Sequence, residues 1–158
     1  MADRVPLRPS GYATLEAELK RLKSVERHKI VKEIEIARAH GDISENAEFH
    51  AAKERQSHIE GRITQLEDRL ARAQVIDATG QSPDAVRFGA TVQLADAESG
   101  DEVTYTIVGE DEADVSKGLI SVGSPIARAL LGKPIDEFVT VQVPRGSRSF
   151  EIRSIRFE

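Results

Sequence analysis

No cysteine occurs among the 158 residues, which excludes disulfides, zinc–thiolate centres and thiol catalysis together. No apolar run approaches the ~20 residues that span a bilayer, and residues 1–10 lack the apolar stretch of a secretory leader. Apolar residues are scarce at 39% and charged ones plentiful at 31%, against about 45–50% and about 25% in an average domain. A surplus of positive charge is also missing. The 22 Lys and Arg face 27 Asp and Glu, a net −5, which argues against bulk binding to a nucleic-acid backbone. These absences imply a soluble, cytoplasmic, surface-rich chain, still too apolar and too mixed in sign to be disordered.

Glycine is scarce in one half only. Residues 1–80 contain Gly11, Gly41, Gly61 and Gly80, with 14 basic and 14 acidic side chains; residues 81–158 contain seven glycines, 8 basic and 13 acidic side chains. The division predicts a helical arm over 1–78, a linker at 79–84 (Thr79-Gly80-Gln81-Ser82-Pro83-Asp84) and a turn-rich domain over 85–158.

Within the arm, Ser10 is a candidate cap, and no breaker follows between Gly11 and Gly41. Leu15, Leu19, Leu22, Ile30, Ile34 and Ala37 recur at gaps of three, four and eight, with Val25 placed to fill part of the longest gap. The drift is nearer an eleven-residue than a seven-residue period, which predicts a fairly straight hairpin with little supercoil. Gly41 stands where a residue just past a helix end belongs. Phe49, Ala52, Gln56, Ile59, Ile63, Leu66, Leu70 and Ala73 then alternate steps of three and four, a coiled-coil seam with Gln56 its polar member. Two such helices joined by a short turn lie antiparallel. Gly61 sits inside the second helix with no evident reason.

The turn at 41–48 carries Asp42, Glu45 and Glu48 at three-residue spacing, with no Lys or Arg between Arg38 and Lys53. Two readings stand side by side. Asp42-x-x-Glu45 is a capping-box pattern with Ser44 as an alternative cap, and acids in a first helical turn suit the helix dipole. Alternatively, the carboxylates form a cluster carried to the end of an arm, where a partner completes a divalent-cation site, since Mg²⁺ is held by one or two carboxylates plus other oxygens. His40 and His50 flank the turn ten residues apart, wrongly spaced for a helical metal pair, and His28 and His58 read as surface or seam-edge residues. No Ser-His-Asp arrangement, phosphate-cradling glycine loop or dinucleotide fingerprint is present.

The second half reads as strands at Thr91–Leu94, Val103–Val108, Gly118–Val122, Phe138–Val143 and Phe150–Phe157. Apolar parity changes between Ile152 and Ile155, which predicts a bulge. Ser124 caps a short helix with Pro125 at its first position, and Gly132 ends it. The fold class is therefore α+β, an antiparallel two-helix coiled coil followed by a mostly antiparallel β-sheet domain with a short helix.

The run Gly41-Asp42-Ile43-Ser44-Glu45-Asn46-Ala47-Glu48-Phe49-His50-Ala51-Ala52-Lys53-Glu54 resembles the tip motif of the bacterial transcript-cleavage factors, the Gre family, and is nearest the GreA type. Further matches are Glu60-Gly61-Arg62-Ile63, Ala73-Gln74-Val75-Ile76-Asp77, Phe88-Gly89-Ala90-Thr91-Val92, Ile107-Val108-Gly109 and Ile120-Ser121-Val122 through Arg128. The resemblance implies a C-terminal FKBP-like domain that docks on the rim of the RNA polymerase secondary channel while the coiled coil reaches the active centre. By position it assigns Asp42 and Glu45 as the tip acids that help hold Mg²⁺ shared with the polymerase, no cofactor being tightly bound to the free protein. It implies that the polymerase then cleaves backtracked RNA near its 3′ end. It assigns Arg38 and Lys53 to contact with that RNA and Ser124 and Pro125 to docking, though Gly123 replaces an acid some relatives carry there. On this resemblance the chain is no enzyme itself, acts as a monomer and has no membrane partner.

Three other readings are weighed. A Gre-like inhibitor of the same channel is disfavoured by the intact Asp42-x-x-Glu45 with Asn46. A prolyl isomerase, suggested only by fold, needs an aromatic pocket, yet residues 81–158 offer only Phe88, Tyr105, Phe138, Phe150 and Phe157, some of them needed as core. A plain coiled-coil adaptor predicts that charge-neutral changes at the tip are silent.

Overall fold

Leu, Glu, Lys, Arg and Ala dominate the chain from Tyr12 to Arg38, and with no proline or glycine among them the backbone has every reason to stay helical. The computed structural model describes residues 3–42 and 46–157. In it the first limb comprises α1 (Pro9–Arg21), a π-helical turn (Leu22–Glu26) and α2 (Arg27–Arg38), and the return limb is α3 (Ala47–Ala71). Residues 12–72 form one compact unit, and residues 3–11 with 73–157 form the other.

In the helical unit the two limbs run antiparallel: Arg27 pairs with Glu60, Glu33 with Arg55, and Arg38 lies over Phe49. Ile30, Ile34, Ala37, Phe49 and Ala52 form its buried cluster, with Ile59 packed against them, and Leu15, Ile63 and Leu66 are also buried. Both seams read from the sequence are therefore real, with three corrections. Val25 does not fill the gap between Leu22 and Ile30; it is 51% exposed. Instead the backbone N–H of Arg27 donates to the carbonyl of Leu22, five residues back, so one extra residue is absorbed in a single turn. An uninterrupted three–four repeat from Leu22 returns at 26, 29, 33 and 36, whereas the inward positions are Arg27, Ile30, Ile34 and Ala37, each one later. The phase change is local, not the distributed drift that the spacing suggested. The second correction is at the start of α1, which begins at Pro9 and not after a Ser10 cap. The third is at Ala73, which leaves the seam and enters a strand.

The sheet unit holds the segments that sequence placed at either end of the arm. β1 (Val5–Leu7) pairs in parallel with β2 (Ala73–Val75), and the Ile76 N–H donates to the Leu7 carbonyl at 2.8 Å. Nearby, the Glu112 carboxylate accepts from the Arg8 backbone N–H at 3.1 Å, from Arg8 Nε at 2.8 Å and from the Gly109 N–H at 3.0 Å. Strands this short leave no periodicity to read, so neither the ribbon nor its fastening is visible in the sequence.

The main sheet has five strands, β3 (Thr91–Asp96), β4 (Glu102–Val108), β5 (Leu119–Ser121), β6 (Phe138–Val143) and β7 (Gly146–Arg156), in the order β5-β4-β3-β7-β6. All neighbours are antiparallel except β4 and β5. Gln93 pairs with Ser154 but Leu94 with Ile152, leaving Arg153 unmatched; this is the bulge that the parity change predicts. β7 starts earlier than expected because Val143 pairs with Gly146 across the two-residue turn Pro144-Arg145. Val92, Leu94, Ile107, Leu130 and Ile152 are among the fully buried side chains of its core, which α4 (Pro125–Leu130) helps to close. The α+β class stands as read. No helix among the described residues is long and apolar enough to cross a membrane.

Candidate functional site

The turn between α2 and α3 is built by the ends of both helices. Ala39 caps α2, its N–H donating to the Glu35 and Ile36 carbonyls at 3.2 Å, and the His40 N–H donates to the Ala37 carbonyl at 3.1 Å. The helix thus ends before Gly41, which lies two residues beyond the cap with φ +124°, a backbone setting that favours glycine. Asp42 follows, exposed in the turn. Glu45 and Ser44 lie outside the described residues.

The cap of α3 is Asn46, not the capping box suggested by Asp42-x-x-Glu45. Asn46 has extended backbone (φ −89°, ψ 95°), and its Oδ1 accepts the Phe49 N–H at 3.1 Å. Its Nδ2 donates to the carbonyl of Ala37 on the other limb. Asp42 precedes this cap by four residues. Glu48 does sit in the first turn, where the helix dipole favours an acid.

Arg38 ends α2 with its guanidinium carbon 5.8 Å from the centroid of the Phe49 ring, which covers one side of the buried cluster. His40 and Glu48 close over the turn, Nδ1 to Oε2 at 3.3 Å. All four histidines are exposed; His50 meets the Phe49 ring edge-on at 5.7 Å between centroids, and His58 Nε2 lies 3.9 Å from Glu54 Oε1. Lys53 is exposed one helical turn beyond Phe49, and its Nζ donates to Gln56 Oε1 at 3.1 Å. The structure thus gathers Arg38 and Asp42 at one turn with Lys53 behind it on α3. Ser124 and Pro125 belong to the sheet unit.

There, Ser124 behaves as its sequence suggests: its Oγ accepts the Ala127 N–H at 3.3 Å and donates to the Ser121 carbonyl at 2.7 Å, with Pro125 exposed at the first helical position. Its aromatics are largely committed to packing. Phe150 is buried, while Phe88, Tyr105 and Phe157 lie against the core; Phe138 alone of the five is largely exposed, at 59%.

The sequence marks Asn46 as part of the tip motif but not as the cap of α3. Its signal was available, an Asn three residues before an aromatic that opens a regular seam, but the more acidic Asp42 and Ser44 drew the cap assignment. Electrostatically the stem of the arm is less basic than its first limb suggests. Lys23 is paired with Glu67 at 3.1 Å and Arg27 with Glu60 at 2.9 Å, so α3 neutralises part of the excess. Among the described residues no three His, Cys, Asp or Glu side chains come together as a self-sufficient metal site. The exposed Asp42 carboxylate offers hard oxygen donors, the chemistry that Mg²⁺ takes.

Comparison with known proteins adds a second line of observation. Residues 5–75 match the family described as transcription elongation factor, N-terminal, and residues 81–157 match that described as transcription elongation factor, GreA/GreB, C-terminal. Transcription elongation factor GreA of Anaeromyxobacter sp. (strain K) is 62% identical over 154 residues, covering 98% of this chain and 93% of the relative. Its counterpart in Hyphomonas neptunium is 56% identical and covers 99% of each chain. Among solved structures, the GreA factor homolog 1 (Gfh1) protein of Thermus thermophilus is 30% identical, covering 97% of this chain and 99% of that one, with a TM-score of 0.43.

Proposed function

The chain belongs to the GreA/GreB family of transcription elongation factors, and from that premise we propose that it binds RNA polymerase through its secondary channel and stimulates the polymerase's own cleavage of backtracked RNA. The observation that carries this reading is the match of residues 5–75 and 81–157 to the two parts of that family, with Asp42 exposed at the turn between the limbs of the arm.

In this reading Asp42 and Glu45 present carboxylate oxygens that, with the polymerase's own acids, hold Mg²⁺ shared between the two proteins. Held by Asp42 and Glu45 together with the polymerase's acids, Mg²⁺ would supply the Lewis acidity of two-metal phosphodiester hydrolysis. Arg38 and Lys53 steer and hold the extruded RNA 3′ end by its phosphates. The sheet unit supplies docking on the channel rim, with the exposed Pro125 and its neighbour Ser124 among the contacts. The chain is then an activator rather than an enzyme, a monomer acting where the polymerase is, in the cytoplasm.

The test uses stalled elongation complexes carrying a backtracked transcript. Adding the protein releases a 3′ RNA fragment. Asp42→Asn and Glu45→Gln each reduce the release rate by more than about 100-fold, beyond the usual cost of losing an outer-shell metal partner, while polymerase binding persists. Binding by the wild-type protein without fragment release overturns the proposal.

A further inference from the structure

The Asn46 side chain does two things at once. Its Oδ1 takes the Phe49 N–H of α3, and its Nδ2 gives a hydrogen bond to the Ala37 carbonyl of α2. One rigid amide thus ties backbone to backbone across the neck of the turn. Asp42 lies between the two tied residues, five past Ala37 and four before Asn46. Two other contacts straddle the same turn, His40 to Glu48 and Arg38 to Phe49, but they join ends of mostly exposed side chains and hold the backbone less directly.

Capping α3 requires only the Oδ1 half of the amide. The Nδ2 half adds nothing to the cap, since the first-turn N–H groups need acceptors and not donors. Its bond to Ala37 instead joins the two limbs at the turn that carries Asp42. Catalytic groups displaced by about 1 Å can lose about 10²-fold in rate, so a tie at this point bears on the chemistry as well as on the fold.

We infer that Asn46 is a positioning residue for the cleavage reaction, setting the reach of Asp42 through its bond to the Ala37 carbonyl. The inference rests on the function proposed above and adds a residue to it. Asn46→Ser and Asn46→Asp separate the two halves of the amide, because both residues cap helices well but neither can donate to Ala37 as the amide does. The serine variant is neutral, so it also controls for the charge that the aspartate adds.

In both variants the helical signal, the thermal midpoint and the half-saturating concentration for polymerase stay at wild-type values, while the maximal cleavage rate falls by about 10-fold or more. Cleavage at the wild-type maximal rate in both variants overturns the inference. So does a fall that is matched by lost helicity or weaker binding, which marks Asn46 as a structural cap alone. If the wild-type protein releases no fragment, the proposed function fails, and the tie is then read in the free protein by NMR. Slow exchange of the Asn46 side-chain amide, lost turn order in Asn46→Ser and unchanged order in α3 support the clamp; an unrestrained side-chain amide overturns it.

Discussion

Arg27 reaches across the helical unit to Glu60 as a two-point fork, Nε and Nη2 each 2.9 Å from a carboxylate oxygen. The hydrogen-bonded fork holds Glu60 below the usual carboxylate range and raises Arg27, the direction expected when each charge is stabilised by the other. Its location is the informative part. Arg27 occupies the inward position that the π turn shifts one residue along, so a charged residue enters an apolar seam only where it meets a planar partner.

If the π turn is one inserted residue, removing one residue restores an ordinary helix. Deleting Val25, which is 51% exposed, leaves Leu15, Leu19, Leu22, Arg27, Ile30, Ile34 and Ala37 in an unbroken three–four repeat. The deletion variant is expected to keep its helical circular dichroism and to melt no lower than wild type, with Arg27 still paired to Glu60. Loss of helicity or of a cooperative transition would show that the turn answers some other demand.

Two glycines that look alike in sequence behave oppositely in the fold. Gly61 lies inside α3 with negative φ, and a Cβ there meets nothing within 4 Å. Gly61→Ala is therefore expected to stabilise the helical unit by about 1 kcal/mol. Gly89 has φ +87°, and a Cβ would stand 2.6 Å from that of Ala78. Gly89→Ala is expected to destabilise the sheet unit by more than about 1 kcal/mol. Urea unfolding followed by helical and by aromatic signals distinguishes the two.

What could be read in advance follows the periodicity. The seams around Phe49, Ile63 and Leu66, the cap at Ser124 and the bulge before Ile155 all leave a repeat or a break in a repeat, and all are present. The β1–β2 ribbon leaves none, because three residues cannot display alternation, and its long-range pairing of Val5 with Ala73 is invisible locally. The π turn is hidden for a related reason: one extra residue looks, in sequence, like slow drift. At the site, charge attracted the cap assignment to Asp42, although the amide of Asn46 serves both limbs where a carboxylate serves only one.

Ser124 carries two candidate roles that substitution can separate. Its hydroxyl caps α4 at the Ala127 N–H, so Ser124→Ala is expected to destabilise the sheet unit by about 1 kcal/mol. Ser124→Asn keeps a capping acceptor and restores that stability. If polymerase affinity, measured by competition, recovers with stability in the asparagine variant, the hydroxyl serves docking only through the cap. Weaker binding that persists in the restored variant identifies a direct contact.

The sheet unit also contains the best-defined acid-sensitive group of the chain. Asp96 ends β3, where one carboxylate oxygen accepts from Arg148 Nη2 at 2.8 Å and the other from the Glu98 and Ser99 N–H groups at 2.9 and 3.1 Å. Arg148 is itself held over the Phe150 ring, 5.0 Å from its centroid. Hydrogen bonding from Arg148 first, then from the two backbone N–H groups, lowers the Asp96 carboxyl from 3.8 to about 2. A lowered folded-state value means that the unfolded chain binds the proton more readily. The contribution of Asp96 is therefore complete above about pH 4 and drains away as pH falls toward about 2. Asp96→Asn is expected to be less stable than wild type at pH 7 and to show a shallower loss of stability across that acid window. Unfolding midpoints at closely spaced pH values for the two proteins check it, and parallel curves through the window would remove Asp96 as the cause.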